Sequence, residues 1–128
     1  MIPSEQILIV DDEPSLLKMM SLYLTRLGYS VVSAGGAKEA IQAMKEQPGA
    51  FRIVVLDATL AGSSLEELAT RMLAETPRLC VIAASGYPVD MTALEAAAPG
   101  RVTFLHKPFG PEMLAAAIRR MLATQEEV

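Results

Sequence analysis

Short, nearly unbroken apolar runs alternate along this chain with longer segments in which apolar residues recur every three or four positions. The first pattern reads as strands and the second as helices. Strands are predicted near Gln6–Val10, Ser30–Ala34, Arg52–Leu56, Leu79–Ala83 and Val102–Leu105. Helices are predicted near Pro14–Leu27, Ala37–Gln47, Ser64–Glu75, Asp90–Ala97 and Pro111–Thr124. Strict alternation of the two points to an α/β fold built on a parallel sheet. The strand runs are rich in Val, Ile and Leu with little polar alternation, as in strands covered on both faces. Three layers follow, a central sheet between two sets of helices.

Punctuation supports these boundaries. Pro14 and Pro111 suit the first turn of a helix, where a missing N–H costs nothing. Gly28 suits a C-terminal cap, and Ser64 with Glu67 has the spacing of a capping box. Leu16, Met19, Met20, Tyr23, Leu24 and Leu27 form one apolar face of the first helix. Met113, Leu114, Ala117, Ile118, Met121 and Leu122 do the same for the last, with the methionines read as core filler.

At 128 residues the chain reads as one domain spanning 1–128. No apolar run approaches the ~18 residues that span a bilayer, and Met1-Ile2-Pro3-Ser4-Glu5 lacks the basic start and apolar core of a signal peptide. A soluble, cytoplasmic protein is expected. The formal charge of −4 weighs against a dedicated nucleic-acid binder. Cys80 is the only cysteine, which excludes an internal disulfide, and it reads as a buried structural thiol. His106 is the only histidine and is expected at a strand end, so a multi-histidine zinc site is excluded. The tail Gln125-Glu126-Glu127-Val128 reads as a frayed helix end or as the cut edge of a longer parent.

The chemistry gathers at the strand ends. Asp11 and Asp12 follow the first strand, Asp57 the third, Ser85 the fourth and Lys107 the fifth. Open α/β sheets bind ligands outside the carboxyl ends of their strands. Three carboxylates brought together there repel unless a cation neutralises them. Magnesium suits one or two carboxylates plus a phosphate oxygen. Asp57 is the candidate nucleophile, since aspartate can attack a phosphoryl centre to give an acyl phosphate. Lys107 offers a point charge for a phosphate oxygen, and Ser85 a hydroxyl. Taken singly, each piece has an ordinary explanation. An Asp pair can cap a helix, and Ser85-Gly86 is a plain turn signal. The chemical reading rests on their joint appearance at successive strand ends.

Those residues resemble the response-regulator receiver domain of two-component signalling, and the resemblance covers essentially the whole chain. Ile7-Leu8-Ile9-Val10-Asp11-Asp12-Glu13-Pro14 resembles the family's first strand and acidic pair. Asp57 stands where the phosphoacceptor stands, Ser85 matches the switch Ser/Thr, Lys107-Pro108-Phe109 matches the Lys-Pro-Phe signature, and Phe104 takes the aromatic switch position. The resemblance implies a five-stranded flavodoxin-like (βα)5 fold with strand order 2-1-3-4-5. It implies that a sensor histidine kinase or histidine phosphotransfer protein donates a phosphoryl group to Asp57. Mg²⁺ is implied on Asp12, Asp57 and the backbone carbonyl of Thr59, with Asp11 helping through water. Ser85 and Lys107 then hold the phosphate, and Phe104 moves inward behind Ser85. The surface of the fourth helix, fifth strand and fifth helix then changes its affinity for a downstream protein or for a second copy of the chain. The group is later lost by slow hydrolysis.

Three features depart from the family pattern. Leu60, Ala61 and Leu65 stand where the family usually has Met, Pro and Gly, Phe104 replaces the commoner tyrosine, and the bulky Tyr87 lies two residues past Ser85. Tyr87 is expected to slow water entry and lengthen the acyl-phosphate lifetime. Two rival readings compete with this one. A Mg²⁺-dependent aspartyl phosphatase needs a second carboxylate as general acid, where this chain has Thr59. A receiver-like binding module that works without phosphorylation would have no need of the acceptor set.

Overall fold

Alternate residues of the central strands enter two separate cores. Leu8, Val10, Val54, Leu56 and Val81 pack on one side of the sheet, and Ile7, Ile9, Ile53, Val55, Cys80 and Ile82 on the other. This is the two-residue period of a strand with apolar side chains on both faces. In the computed structural model, residues 5–60 and 64–126 are described, with side chains as far as Thr124. The order of elements is β1 (Gln6–Val10), α1 (Pro14–Arg26), β2 (Ser30–Ala34), α2 (Ala37–Glu46), β3 (Phe51–Asp57), α3 (Leu65–Glu75), β4 (Cys80–Ser85), α4 (Thr92–Ala97), β5 (Val102–His106) and α5 (Pro111–Glu126).

Among the described residues the strands form one parallel sheet in the order β2-β1-β3-β4-β5, as expected. Helices α2, α3 and α4 cover one face through Ala40, Leu68, Ala69, Met72, Leu73 and Leu94. Helices α1 and α5 cover the other through Met20, Leu24, Leu114, Ile118 and Met121. One irregularity marks the start of β3. Gln6 pairs with Phe51 but Ile7 pairs with Ile53, so Arg52 is an extra residue. A one-residue slip reverses the side on which a side chain falls. It places Phe51 in the core beneath α2 and α3, with Ile53 under α1 and α5.

Several boundaries differ from the sequence reading, and the differences have causes. β3 runs on to Asp57 and β4 to Ser85 because the ladder continues there, with Asp57 opposite Ala84 and Ser85 opposite His106. The Asp57 and Ser85 backbones are therefore strand residues, held by the sheet. Helix α4 begins at Thr92 rather than Asp90, with Met91 as its N-cap, and the Asp90 carboxylate accepts the Thr92 N–H at 2.9 Å in the turn that leads into it. Gly28 closes α1 at φ 100°, a conformation that favours glycine. Ser64 Oγ accepts the Glu67 N–H at 3.4 Å, the expected half of the capping box.

Two members of the expected apolar faces lie outside the core. Leu27, 47% exposed, is the cap residue past the last turn of α1. Met113, 54% exposed, stands about 100° of arc from Leu114 on the outer side of α5. Cys80 is fully buried and His106 is exposed, as expected. No described helix is long and apolar enough to cross a membrane.

Candidate functional site

The carboxyl edge of the sheet collects the acids. Asp11 follows β1 directly, with its N–H bonded to the Ala34 carbonyl of β2 at 3.1 Å. Its carboxylate turns back on the chain, where Oδ1 accepts the Glu13 N–H at 2.9 Å. Asp57 ends β3, and Ala58 N–H bonds to the Ala84 carbonyl at 2.8 Å, so the sheet fixes the backbone on both sides of the acid. One carboxylate oxygen from each of Asp11, Asp12 and Asp57 lies within 4.8 Å of the others. Asp11 and Asp57 are 3% and 4% exposed, whereas Asp12 faces water.

Lys107 enters from the far side. Its N–H bonds to the Ser85 carbonyl at 2.8 Å, which extends the β4–β5 ladder by one residue. Its Nζ stands 3.0 Å from Asp11 Oδ2 and 3.5 Å from Asp57 Oδ1. Partial burial disfavours the ammonium, but the hydrogen bond to Asp11 and the charges of Asp11 and Asp57 outweigh it, so the pKa is raised above the ordinary value. The peptide bond to Pro108 is cis.

Ser85, 1% exposed, ends β4, and its Oγ accepts the Tyr87 N–H at 3.0 Å. Phe104 is half-buried on β5 opposite Ala83, with its ring edge-on to His106 at a centroid distance of 6.3 Å. It lines a groove of about 580 Å³ between α4 and β5, with Met91, Thr92, Glu95 and Val102. Thr59 is exposed, and both its N–H and its hydroxyl donate to Asp57 Oδ1, at 3.0 and 2.9 Å. Tyr87 is 73% exposed, so its side chain stands largely in water. Leu60 is buried, and Leu65 begins α3. Ala61 and its neighbour Gly62 lie outside the described residues.

The edge thus brings together Asp11, Asp12, Asp57 and Lys107, holds Ser85 one strand away, and keeps Phe104 on the flank. Its charge does not balance, since three carboxylates face one ammonium. All the side-chain donors of the acid cluster are hard oxygens. Ligands of one Mg²⁺ at ~2.1 Å stand at most about 4.2 Å apart, a contraction that side-chain rotation can supply. The residues therefore fit a small divalent cation in both charge and donor type. Sequence reasoning missed one feature, the Thr59 hydroxyl on the candidate nucleophile. The signal was available, as a Thr two residues after an Asp can close a turn on it.

The family described as response regulator receiver domain matches residues 7–119. The chain belongs to the response-regulator receiver family. A CheY-like response regulator receiver domain protein from Methanospirillum hungatei superimposes with a TM-score of 0.84 at 27% identity, covering 97% of this chain and 98% of that one. The BeF3-activated DrrB receiver domain gives a TM-score of 0.77 at 28% identity, covering 94% and 98%. By sequence, the receiver is 35% identical to the uncharacterized transcriptional regulatory protein YkoG of Bacillus subtilis, over 91% of this chain and 50% of that protein. It is 31% identical to sensor kinase CckA of Brucella abortus, over 96% of this chain and 13% of CckA. It spans 26% of the alginate regulator AlgB of Pseudomonas aeruginosa, at 29% identity. The receiver thus spans half or less of these curated relatives. Receivers are phosphoacceptor domains of two-component signalling, distinct from classical enzymes, and generally bind Mg²⁺ at an acidic pocket.

Proposed function

We propose that this chain is a single receiver domain that accepts a phosphoryl group on Asp57 from a phosphohistidine of a sensor kinase or histidine phosphotransfer protein. The observation that carries this reading is Lys107 Nζ, seated 3.0 Å from Asp11 and 3.5 Å from the buried Asp57 at the carboxyl edge of the sheet. An aspartate held there is buried with a cation beside it.

The Asp57 carboxylate attacks phosphorus, the bond from phosphorus to the histidine nitrogen breaks, and its electron pair returns to the imidazole ring. The product is an aspartyl phosphate. Lys107 draws the developing negative charge, a preorganised electrostatic role. Mg²⁺, when bound, would be held by Asp12, Asp57 and the Thr59 carbonyl, with Asp11 helping through water, and would neutralise charge on the transferring group. Ser85 Oγ, which accepts from Tyr87, keeps its own proton for a phosphate oxygen. Phe104 lines the α4–β5 groove, which makes it the element that relays the event to the α4–β5–α5 surface and its downstream partner. A local charge change then biases a two-state element. The setting is cytoplasmic, and a second copy is one candidate for the surface that the switch exposes.

The test is incubation with acetyl phosphate, and with phosphoramidate as a donor that carries a P–N bond, with and without Mg²⁺, followed by intact mass. A phosphoryl adduct that requires Mg²⁺ and is lost in Asp57→Ala is expected. A folded protein that takes up no phosphoryl group from either donor would turn the assignment toward a module that works without phosphorylation.

A further inference from the structure

The two carboxylate oxygens of Asp57 are not equivalent. Oδ1 accepts the Thr59 N–H at 3.0 Å and the Thr59 hydroxyl at 2.9 Å, and it is the oxygen 3.5 Å from Lys107 Nζ. A carboxylate oxygen offers two lone pairs, so the two Thr59 bonds fill Oδ1. The phosphoryl-accepting site makes two further demands on the same carboxylate, one oxygen for a divalent cation and one for phosphorus. If one oxygen is kept for attack on phosphorus, the cation must find its lone pair on Oδ1.

The Lys107 ammonium, 3.5 Å from Oδ1, is held more closely by Asp11 Oδ2 at 3.0 Å, so one of the two Thr59 donors is the group that must withdraw. The backbone N–H belongs to the turn that leaves β3, and moving it means remaking the chain path. The hydroxyl sits on an exposed side chain, and a step between staggered χ1 rotamers carries it into water. The backbone N–H suffices to orient the carboxylate, so orientation does not require the hydroxyl. What the hydroxyl adds is a second dipole aimed at an acid with two acidic neighbours.

We infer that the Thr59 hydroxyl is a displaceable competitor of the cation, one that occupies Asp57 Oδ1 while the site is cation-free and leaves it when the ion binds. Thr59 is then a positioning residue with two separable parts. Its backbone stays in the site, and its side chain sets how much cation is needed to open Oδ1. The inference rests on the proposed function, because it takes Asp57 to be the residue that the cation and the phosphoryl group share.

The experiment is a calorimetric titration of Mg²⁺ into the wild type, Thr59→Val, Thr59→Ser and Asp57→Ala, each first shown to be folded by circular dichroism. Valine keeps the shape and β-branching of threonine and removes the hydroxyl, while serine keeps the hydroxyl. Removing one competing hydrogen bond should tighten Mg²⁺ binding by about three- to tenfold in Thr59→Val, with Thr59→Ser close to wild type. Equal or weaker binding in Thr59→Val overturns the inference, as does Thr59→Ser behaving like Thr59→Val, which would assign the effect to bulk. A wild type that binds no Mg²⁺, or binds it as well after Asp57→Ala, overturns the site reading itself and the inference with it. The two failures are therefore distinguishable.

Discussion

The two ends of the sheet solve the problem of half-buried polar groups in opposite ways. At the amino edge charges and amides meet partners, although Arg52 Nε is buried without one among the described residues. Arg52 meets Glu5 at 3.3 Å, and Gln6 Nε2 donates to Gln47 Oε1 at 2.7 Å. Arg101 reaches back from the start of β5 and donates to the carbonyls of Leu79, Leu73 and Thr76, tying the end of α3 to β4. At the carboxyl edge three carboxylates share one ammonium. One end closes the fold, and the other keeps an unbalanced charge that only a ligand can settle. The contrast follows from backbone direction. In a parallel sheet all strands end on the same side, so side chains placed just after them converge.

If the carboxyl edge is organised by Lys107, its removal should have the largest effect. Lys107→Met should slow phosphoryl uptake from acetyl phosphate by roughly 100-fold. It should also destabilise the cation-free protein by about 2 kcal/mol, below the cost of breaking a fully buried pair because Lys107 is partly solvated. Intact-mass time courses with acetyl phosphate measure the first and chemical denaturation in a chelator the second, and an unchanged midpoint would show that the ammonium does not organise the edge. The same contact sets a pH dependence. Because the folded pKa of Lys107 is raised above 10.5, its contribution is fully present below that value and is lost as pH climbs through the folded value. Stability attributable to Lys107 should therefore be flat through neutral pH and fall only in strong alkali.

The amino edge predicts loss of stability without loss of chemistry. Arg101→Met removes three hydrogen bonds to backbone carbonyls and should cost about 2–3 kcal/mol. Where the variant is still folded, its phosphoryl uptake should match wild type. A selective fall in uptake would mean that the two ends are coupled, against the contrast drawn above.

Easing the imbalance should have a smaller effect of opposite sign. Asp57→Asn removes one of the crowded charges and should raise the stability of the cation-free protein by about 1 kcal/mol, an advantage that Mg²⁺ erases. Thermal melts in a chelator and in Mg²⁺ measure this directly, and a destabilised variant would show that Asp57 is already well compensated by Thr59 and Lys107. The smallest effect belongs to an exposed pair far from both ends. Glu75→Gln breaks the contact of Arg71 with Glu75 on α3 and should change stability by less than about 0.5 kcal/mol.

Much of this was legible in the linear chain. The short apolar runs place β1 and β2 at their observed limits, and the residues at the strand ends suggest the chemistry because a parallel sheet makes those ends converge. The errors fall where local pattern meets tertiary pairing. Ser85 extends β4 because His106 is opposite it, and α4 starts only at Thr92, after a turn in which the Asp90 carboxylate accepts the Thr92 N–H. Leu27 and Met113 are apolar by type, yet the rotation and end of each helix leave them in water.

The sequence by itself determined the α/β class and offered Asp11, Asp12, Asp57, Ser85 and Lys107 as a candidate set, while the family resemblance added the strand order and Phe104. These depend on residue type and on periodicities that run along the chain. Only the tertiary structure decided that Arg52 is a bulge that turns Phe51 to the other core, and that Arg101 clips α3 to β4. It also showed that Lys107 reaches both Asp11 and Asp57, and that Thr59 holds one oxygen of Asp57 through two bonds. Such facts depend on register, side-chain torsion and contacts between residues distant in sequence. Those are settled when the sheet pairs and its two faces pack.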